Sequence, residues 1–242
     1  MADQTVGEKV TEWLITHYWH DIGVVVATAR NDIFHMAQRA GIPTIVFESD
    51  AQVANLVARE NFVIDIGLVV WWPHIIRQPL LGIARQGFIN THPSLLPHNR
   101  GKHYNFWAIV EAVPFGVTLH WIDAGIDTGD IVAQAEIFSS WEDTGQSLFD
   151  KARDAMVQLV RDCYPTIRSL NIPRQKQDHV AGSFHASKEL EPASVLSLDQ
   201  SYRARDLLNL LRARTFAGHP GCSFSDGADE FEVRVDIRRK KR

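Results

Sequence analysis

Residues 24–47 read VVVATARNDIFHMAQRAGIPTIVF. The run at 24–27 is short, uninterrupted and β-branched, which is typical of a buried strand. A helical pattern at 32–40 ends at a Gly-Ile-Pro turn, and the apolar residues at 44–47 predict a second strand. Strands separated by a helix of this length form parallel βαβ units. The segment therefore predicts the α/β class.

Strand and helix patterns recur along most of the chain. Further strands are predicted at 65–71, 87–90, 114–121 and 130–137, and further helices at 7–15, 50–59 and 144–169. The long last helix carries its apolar residues on one face. The loop 122–129, between the last two strands, is rich in glycine and aspartate. We expect one catalytic domain spanning residues 1–180.

The last part of the chain differs in composition from the first 172 residues. A polar, basic connector begins at Pro173, and a helix is predicted at 204–212. Apolar segments at 222–224 and 231–237 flank Ser225-Asp226-Gly227, which predicts a β-hairpin. We therefore expect a C-terminal helix and hairpin subdomain at 181–242. About 60 residues bury too little surface to be stable alone, so this part should pack on a partner.

The front of the chain departs from the usual order of such a sheet. An open α/β sheet normally begins with a strand, whereas here a helix is predicted almost at once after residues 1–5. Residues 3–7 are predicted to be the loop that would follow such a strand. We expect a sheet that lacks its first strand, with an unfilled position beside residues 24–27 and lowered stability unless another element covers it.

Composition excludes several classes of protein. The 242 residues include 25 Lys and Arg and 29 Asp and Glu, for a formal net charge of -4. This balance disfavours binding to nucleic acid or anionic membranes. No apolar run approaches the roughly 20 residues that span a bilayer, and no secretion signal is evident. The two cysteines form neither a disulfide framework nor a metal pair, so we expect a cytoplasmic protein.

The residues at the end of the predicted strand 87–90 carry the chemistry. Asn90 and His92 are two apart in extended chain, so their side chains point to the same side. Pro93 holds His92 in extended conformation. The carboxyl ends of parallel strands are where open α/β sheets form their sites, and an aspartate of the loop 122–129 can reach the imidazole.

An amide, an imidazole and a carboxylate suit acyl transfer to an amine. The amide stabilises the oxyanion, and the imidazole accepts the proton lost by the attacking amine. The carboxylate favours the charged imidazolium and orients it. His103, His120 and His185 have no metal-ligand spacing, so we expect no metal.

Longer motifs surround these residues. They are Asn-x-His-Pro-Ser-Leu-Leu-Pro at 90–97, Arg-Gly at 100–101, Gly-Val-Thr-Leu-His at 116–120 and Asp-x-Gly-x-Asp-Thr-Gly-Asp at 123–130. In these motifs the chain resembles the formyltetrahydrofolate-dependent formyltransferases. The segments 71–73, 99–104, 184–185, 207–216 and 219–221 resemble the sugar-nucleotide N-formyltransferase branch. The resemblance implies a Rossmann-like sheet with helices on both faces.

The resemblance also implies roles for individual residues. It makes Asn90, His92 and Asp127 the catalytic set. N10-formyltetrahydrofolate, the formyl donor, would contact His74, Ile75, Ile76, Lys102, Asp123, Ala124, Gly125, Ile126 and Asp127. The nucleotide-linked sugar would contact Gln4, Thr5, Trp72 and Phe216. Trp71 and Trp72 are equally well interpreted as a stacking surface for a pterin or as core residues.

The implied activity is transfer of a formyl group to the amine of a nucleotide-linked aminodideoxy sugar. The expected acceptor is dTDP-4-amino-4,6-dideoxyglucose, for a surface polysaccharide of the O-antigen type in lipopolysaccharide. A GDP-perosamine N-formyltransferase, a methionyl-tRNA formyltransferase and a non-catalytic sugar-nucleotide binding protein are the alternatives. A homodimer through the hairpin is implied, and a hairpin that packs only on its own catalytic domain is nearly as well supported.

Overall fold

A computed structural model of the chain describes residues 1–240. The strands are β1 (Val25–Ala27), β2 (Thr44–Val46), β3 (Gly67–Val69), β4 (Phe88–His92), β5 (Arg100–Gly101), β6 (Gly116–Trp121), β7 (Ile131–Glu136), β8 (Phe184–His185), β9 (Cys222–Asp226) and β10 (Asp229–Val233). The α-helices are α1 (Gln4–Tyr18), α2 (Asp32–Arg39), α3 (Asp50–Arg59), α4 (Tyr104–Val110), α5 (Gly145–Arg168), α6 (Leu190–Ala193) and α7 (Ala204–Arg214). The α/β class is confirmed.

The strands form a mixed sheet. β1 pairs in parallel with β2, and β3 pairs in parallel with β4. β6 then pairs antiparallel with both β4 and β7, which gives the order β3-β4-β6-β7. The carboxyl end of β4, where Asn90 and His92 lie, is thus inside the sheet and next to β6.

The first residues of the chain join the two parallel pairs. Ala2 forms parallel bridges to both Ala27 and Val70. The Ala2 N–H donates to Val26 O at 3.1 Å, and the Val70 N–H donates to Met1 O at 2.8 Å. The Met1 amine donates to Leu68 O at 2.8 Å. The position expected to be unfilled is therefore occupied over this short stretch.

A cavity lies where this short stretch stops. It has a volume of about 780 Å³, and its walls include Val24, Val25, Ile66 and Leu68. The Met1 amine is buried beside these apolar side chains, and this burial lowers its pKa from 8.0 to about 5. The sheet is continuous at Ala2, and the cavity separates the two parallel pairs beyond this residue.

Apolar side chains cover both faces of the sheet, because successive strand residues point to opposite sides. Ile89, Val117 and Leu119 pack on the face covered by α1, α2 and α5. Val26, Val69 and Phe88 pack on the other face, against α3. Within residues 1–240 no helix combines the length and apolar composition needed to cross a membrane.

The long helix α5 begins and ends within one residue of the predicted bounds 144–169. The Thr144 side chain accepts a hydrogen bond from the Ser147 N–H at 3.2 Å, and the Ser147 side chain accepts one from the Thr144 N–H at 3.0 Å. This reciprocal cap satisfies two N–H groups that a helix start leaves without partners.

Four elements were not expected from the sequence, namely α4, β5, β8 and the short α6. The helix α4 begins after His103, whose φ of 59° is left-handed and whose side chain gives no cap, so no start signal precedes it. The strand β8 pairs in parallel with β5 and brings the connector back to the catalytic part. Glu111 accepts hydrogen bonds from His185 at 2.7 Å and from Asn99 at 2.9 Å, which ties the two segments together.

The C-terminal hairpin is shorter than expected at its far end. β10 ends at Val233 instead of residue 237 and pairs antiparallel with β9. Phe224 and Phe231 lie across the two strands with ring centroids 5.3 Å apart. β9 is bridged to Val195, and α7 packs against α4 and α5. The hairpin therefore joins the rest of the chain through one edge.

Candidate active site

The site begins at the carboxyl end of β4. Asn90 and His92 both line one cavity at this end, and the intervening Thr91 hydroxyl accepts a hydrogen bond from the Trp71 N–H at 2.8 Å. The His92 ring is buried, with its Nε2 atom 3.2 Å from Asn99 O. Because a carbonyl only accepts, Nε2 carries a proton and donates it to Asn99.

The loop between β6 and β7 carries Asp127 to the other nitrogen of His92. Asp127 Oδ2 lies 3.4 Å from His92 Nδ1 and accepts a hydrogen bond from the Gly101 N–H at 3.0 Å. The Asp127 backbone is left-handed, with φ of 53°. Such a backbone costs energy for a residue other than glycine, and this bend aims the carboxylate inward.

Two other loop residues hold this bend. Asp123 Oδ1 accepts from the Gly125 N–H at 3.0 Å and from the Thr128 hydroxyl at 2.6 Å. A β-carbon on Gly129 would lie 1.8 Å from Trp121 O, so only glycine fits there. Asp123 therefore shapes the loop, and Gly129 lets it turn back against β6.

The charges of His92 and Asp127 follow from their surroundings. Burial lowers the pKa of the His92 imidazole from its usual 6.5, and Asp127 opposes this only in part. Burial also disfavours ionised Asp127, but His92 and the Gly101 N–H stabilise the carboxylate and hold its pKa below the usual range. The pair is a neutral imidazole beside a carboxylate, and any proton that His92 accepts goes to Nδ1.

A third polar side chain completes the cluster. His120 lies directly opposite Asn90 in the register of β4 and β6. Its Nε2 atom is 3.2 Å from Asn90 Nδ2 and 3.5 Å from Asp127 Oδ1. In the sequence His120 has no metal-ligand spacing, and no local pattern assigns it a role beside Asn90. Its link to Asn90 depends on the pairing of two strands, which sequence spacing does not reveal.

The cavity at this cluster has a volume of about 1030 Å³, which is large enough for a drug-sized ligand. Every residue expected to contact the formyl donor lines it: His74, Ile75, Ile76, Lys102, Asp123, Ala124, Gly125, Ile126 and Asp127. Of the residues expected to contact the sugar nucleotide, Gln4, Trp72 and Phe216 line it.

Thr5 does not line the cavity. The segment 3–7, expected to be a loop, is helical from Gln4 onward. Gln4 has a left-handed φ of 55° and faces the cavity, whereas the first turn of α1 carries Thr5 away from it.

One lobe of the cavity, lined by Trp72, His74 and Leu81, is aromatic and apolar. Trp72 packs edge-on against Phe47, with ring centroids 5.2 Å apart, and His74 stacks on the same Phe47 ring at 5.2 Å. The Trp72 Nε1 atom is buried and has no hydrogen-bond partner in the described part of the chain. An unsatisfied buried donor is costly, and a flat, polar-edged ring such as a pterin would both stack here and accept from it.

The other lobe, lined by Phe149, Phe216 and Arg214, combines aromatic rings with positive charge. Phe216 lies edge-on to Phe149 and to His219, with ring centroids 5.5 and 4.9 Å apart. Lys102 and Arg214 also line the cavity. Sequence reasoning missed Phe149 and Arg214, because nothing in the periodicity of α5 and α7 separates cavity residues from core residues.

Within residues 1–240, no group of three or more His, Cys, Asp or Glu side chains is placed to bind a metal ion. The arrangement instead offers an amide, a neutral imidazole and a carboxylate beside a two-lobed cavity. It can hold a carbonyl group and an amine together, remove a proton from the amine and stabilise negative charge on the carbonyl oxygen.

Comparison with known proteins gives a consistent assignment. Residues 5–162 match the formyl transferase family model, and residues 189–239 match the N-formyltransferase dimerization C-terminal domain. A methionyl-tRNA formyltransferase of Agathobacter rectalis is 40% identical over 101 residues, which is 41% of this chain and 33% of that protein. The one from Desulfotalea psychrophila is 30% identical over 73% of this chain and 54% of its own length. The chain thus spans between a third and just over half of these curated relatives.

Solved structures resemble the chain over most of its length. A sugar N-formyltransferase from a Shewanella species has a TM-score of 0.80 at 20% identity, covering 99% of this chain and 97% of that one. A likely sugar N-formyltransferase from Mycobacterium tuberculosis has a TM-score of 0.76 at 23% identity, with 91% and 100% covered. The formyltransferase PseJ from Anoxybacillus kamchatkensis, solved with a UDP-linked formamido sugar and tetrahydrofolate, has a TM-score of 0.57 at 27% identity, with 70% and 87% covered.

Proposed function

Because the chain belongs to the formyl transferase family, we propose that it is an enzyme that moves a formyl group from N10-formyltetrahydrofolate to the amine of a nucleotide-linked aminodideoxy sugar. The observation that carries the proposal is the convergence of Asn90, His92 and Asp127 on one two-lobed cavity. One lobe suits a pterin and the other suits a nucleotide. The acyl donor and the amine would meet between the lobes.

Each side chain then has a defined task. Asn90 donates an N–H to the formyl oxygen as that oxygen gains negative charge. As the amine bonds to the formyl carbon, His92 accepts the amine proton at Nδ1, since its Nε2 donates to Asn99 O. His92 returns this proton to the donor nitrogen when the bond between the formyl carbon and that nitrogen breaks. Asp127, 3.4 Å from Nδ1, stabilises the imidazolium that results. N10-formyltetrahydrofolate supplies the activated formyl group.

The loop Asp123 to Asp127 and the segment His74 to Ile76 would hold the donor, with Lys102 beside them. The buried Trp72 Nε1 atom, which lacks a partner within residues 1–240, supports a polar-edged ring in this lobe. Phe216, Gln4 and the positive charge of Arg214 would hold the nucleotide and its phosphates. Thr5 has no part in this proposal.

The acceptor that we propose is dTDP-4-amino-4,6-dideoxyglucose, used for a surface polysaccharide of the O-antigen type, with the reaction in the cytoplasm. Full-length likeness to sugar N-formyltransferases supports a sugar nucleotide. Methionyl-tRNA is the second candidate, since the curated relatives are methionyl-tRNA formyltransferases. The net charge of -4 disfavours tRNA.

Formyl-transfer assays separate these acceptors. The purified chain is incubated with N10-formyltetrahydrofolate and one of dTDP-4-amino-4,6-dideoxyglucose, GDP-perosamine or methionyl-tRNA, and mass spectrometry detects the formylated product. We expect formylation of the dTDP sugar, and none with the His92→Asn protein. A thermal-shift panel of dTDP, UDP and GDP identifies the base independently. Nucleotide binding without transfer to any acceptor would support the non-catalytic alternative.

Phe216→Ala tests the nucleotide lobe. If the Phe216 ring meets the base, the variant loses nucleotide affinity by about tenfold while it keeps its thermal stability, because one stacked ring contributes about 1–2 kcal/mol. Unchanged affinity would make Phe216 a core residue.

We also propose a homodimer through the C-terminal part. The match to a dimerization domain at 189–239 supports it, as do exposed apolar side chains on and near this part: Phe138, Trp141, Val195, Leu198, Leu208 and Phe231. Sedimentation at micromolar concentration should show a dimer, and Phe231→Asp should shift it to monomer, whereas Glu230→Ala should not. A wild-type monomer would instead favour a hairpin that packs only on its own catalytic domain.

A further inference from the structure

The buried His120 and the half-buried Asn90 form a side-chain pair beside the reacting groups. His120 is 2% exposed, and its Nε2 atom lies 3.2 Å from Asn90 Nδ2. The two residues are register partners in β4 and β6, so the backbone of both strands holds them opposite each other.

The other ring nitrogen determines which way this hydrogen bond runs. His120 Nδ1 lies 2.8 Å from Trp121 O. A backbone carbonyl has no proton to donate, so Nδ1 carries the proton. In a neutral ring Nε2 is then an acceptor, and the group facing it must be the NH₂ of Asn90 instead of its carbonyl oxygen.

The Asp127 carboxylate faces both imidazoles of the site. Asp127 lies between two imidazoles, 3.4 Å from His92 Nδ1 and 3.5 Å from His120 Nε2. One carboxylate cannot balance two imidazolium ions whose ring centroids are 6.2 Å apart. Lys102 adds further positive charge near His92. Since His92 gains the proton in the proposed reaction, Asp127 is the counter-ion of His92 and not of a second imidazolium.

We propose that His120 is a positioning residue that fixes the orientation of the Asn90 amide, so that an N–H and not the carbonyl oxygen faces the acyl group. The inference rests on the proposed formyl transfer. Asn90 Nδ2 has no second hydrogen-bond partner within residues 1–240, which leaves its other N–H to the cavity. Rotated by half a turn, the amide would present an oxygen to the developing negative charge and oppose it.

Two nearly isosteric substitutions test this role. Gln at position 120 can accept the Asn90 hydrogen bond, whereas Met has the same length and no such acceptor. We expect His120→Met to lower kcat about 10- to 100-fold, with both KM values within about threefold, which is below the loss on removing an oxyanion donor outright. His120→Gln should recover most of kcat. Equal kcat values for the two variants at equal thermal stability would overturn the proposal.

A double-mutant cycle separates positioning from a purely structural role. If His120 acts through Asn90, His120→Met has no further effect on kcat in an Asn90→Ala background. A further loss of the same size in that background would show that His120 acts independently of Asn90.

A readout that needs no activity distinguishes failure of this proposal from failure of the proposed function. Two-bond ¹H–¹⁵N correlation spectra of the wild-type protein should show His120 as the neutral Nδ1–H form, and the Asn90 NH₂ signals should shift in His120→Met but not in a distant control such as Thr16→Val. An Nε2–H form of His120 would overturn the inference even if the protein transfers formyl groups. The expected spectra without transfer to any acceptor would overturn the function and leave the orientation of Asn90 established.

Discussion

At the scale of single residues, the two nitrogens of His92 have different surroundings and hence different tasks. Nε2 donates to Asn99 O at 3.2 Å, and Nδ1 faces Asp127 at 3.4 Å. A histidine held in this way accepts its proton on the side of the carboxylate. The same carboxylate faces His120 at 3.5 Å, so a single aspartate lies between both imidazoles.

Asp127→Asn should separate catalysis from binding. The substitution keeps the size of the side chain but removes the charge that stabilises the His92 imidazolium. We expect kcat to fall about 10²- to 10³-fold, within the range of acid–base contributions, with sugar-nucleotide affinity changed less than about twofold. Single-turnover kinetics and calorimetry check both values. Lost nucleotide affinity with an unchanged single-turnover rate would assign Asp127 to binding instead.

The pH dependence of kcat should reflect the buried His92. Its pKa is lowered from 6.5, chiefly by burial, and the neutral form is the one that accepts a proton. Activity should therefore rise with pH and then level off, and the midpoint of the rise should lie below 6.5. In Asp127→Asn the midpoint should move lower still, because Asp127 is the group that raises the pKa of His92. A rise in kcat with a midpoint above pH 6.5 would contradict the lowered pKa of His92.

At the scale of elements, the loop between β6 and β7 depends on Gly129. A β-carbon there would lie 1.8 Å from Trp121 O, so the loop must move when the side chain is enlarged. We expect Gly129→Ala to lower the free energy of unfolding by about 1–3 kcal/mol and to reduce kcat, since Asp127 lies two residues away.

Gly23→Ala is the matched control for this substitution. A β-carbon at Gly23 meets only Ile64 Cδ1, at an ordinary 3.4 Å. Urea unfolding and kcat should both stay near wild-type values. Equal losses in the two variants would mean that backbone freedom, and not the contact with Trp121, explains the effect of Gly129→Ala.

At the scale of the whole molecule, Ala2 joins the two parallel pairs of the sheet, and the Met1 amine is buried beside this junction. Burial lowers the pKa of this amine from 8.0 to about 5, so the unfolded chain binds more protons than the folded one between these values. Stability should thus rise from pH 5 to pH 8. At about 1.4 kcal/mol for each tenfold change in proton affinity, the difference is about 4 kcal/mol.

Acetylation of the Met1 amine isolates this contribution from that of His92, which also titrates in this range. The acetyl group removes the charge and can enter the adjoining cavity of about 780 Å³. Chemical unfolding at several pH values should show a smaller rise in stability for the acetylated protein. The same rise in both forms would mean that the amine is hydrated in the folded state.

Local patterns in the sequence determined most elements of this protein. The predicted helix at 50–59 is α3 as observed, and the expected helix at 144–169 differs from α5 by its two capping residues. Strand and helix periodicities depend on neighbours a few residues apart, so sequence alone reveals them. The pairing of Asn90 with His92 at the end of β4 follows from the same local geometry.

Only the tertiary structure decided how distant residues meet. His120 reaches Asn90 through the register of two strands, and Asp127 reaches His92 through a left-handed backbone bend. Residues Met1 to Asp3 fill part of a gap in the sheet that sequence order predicted to be empty. Contacts of this kind depend on strand pairing and packing across the whole chain, and no local pattern encodes them.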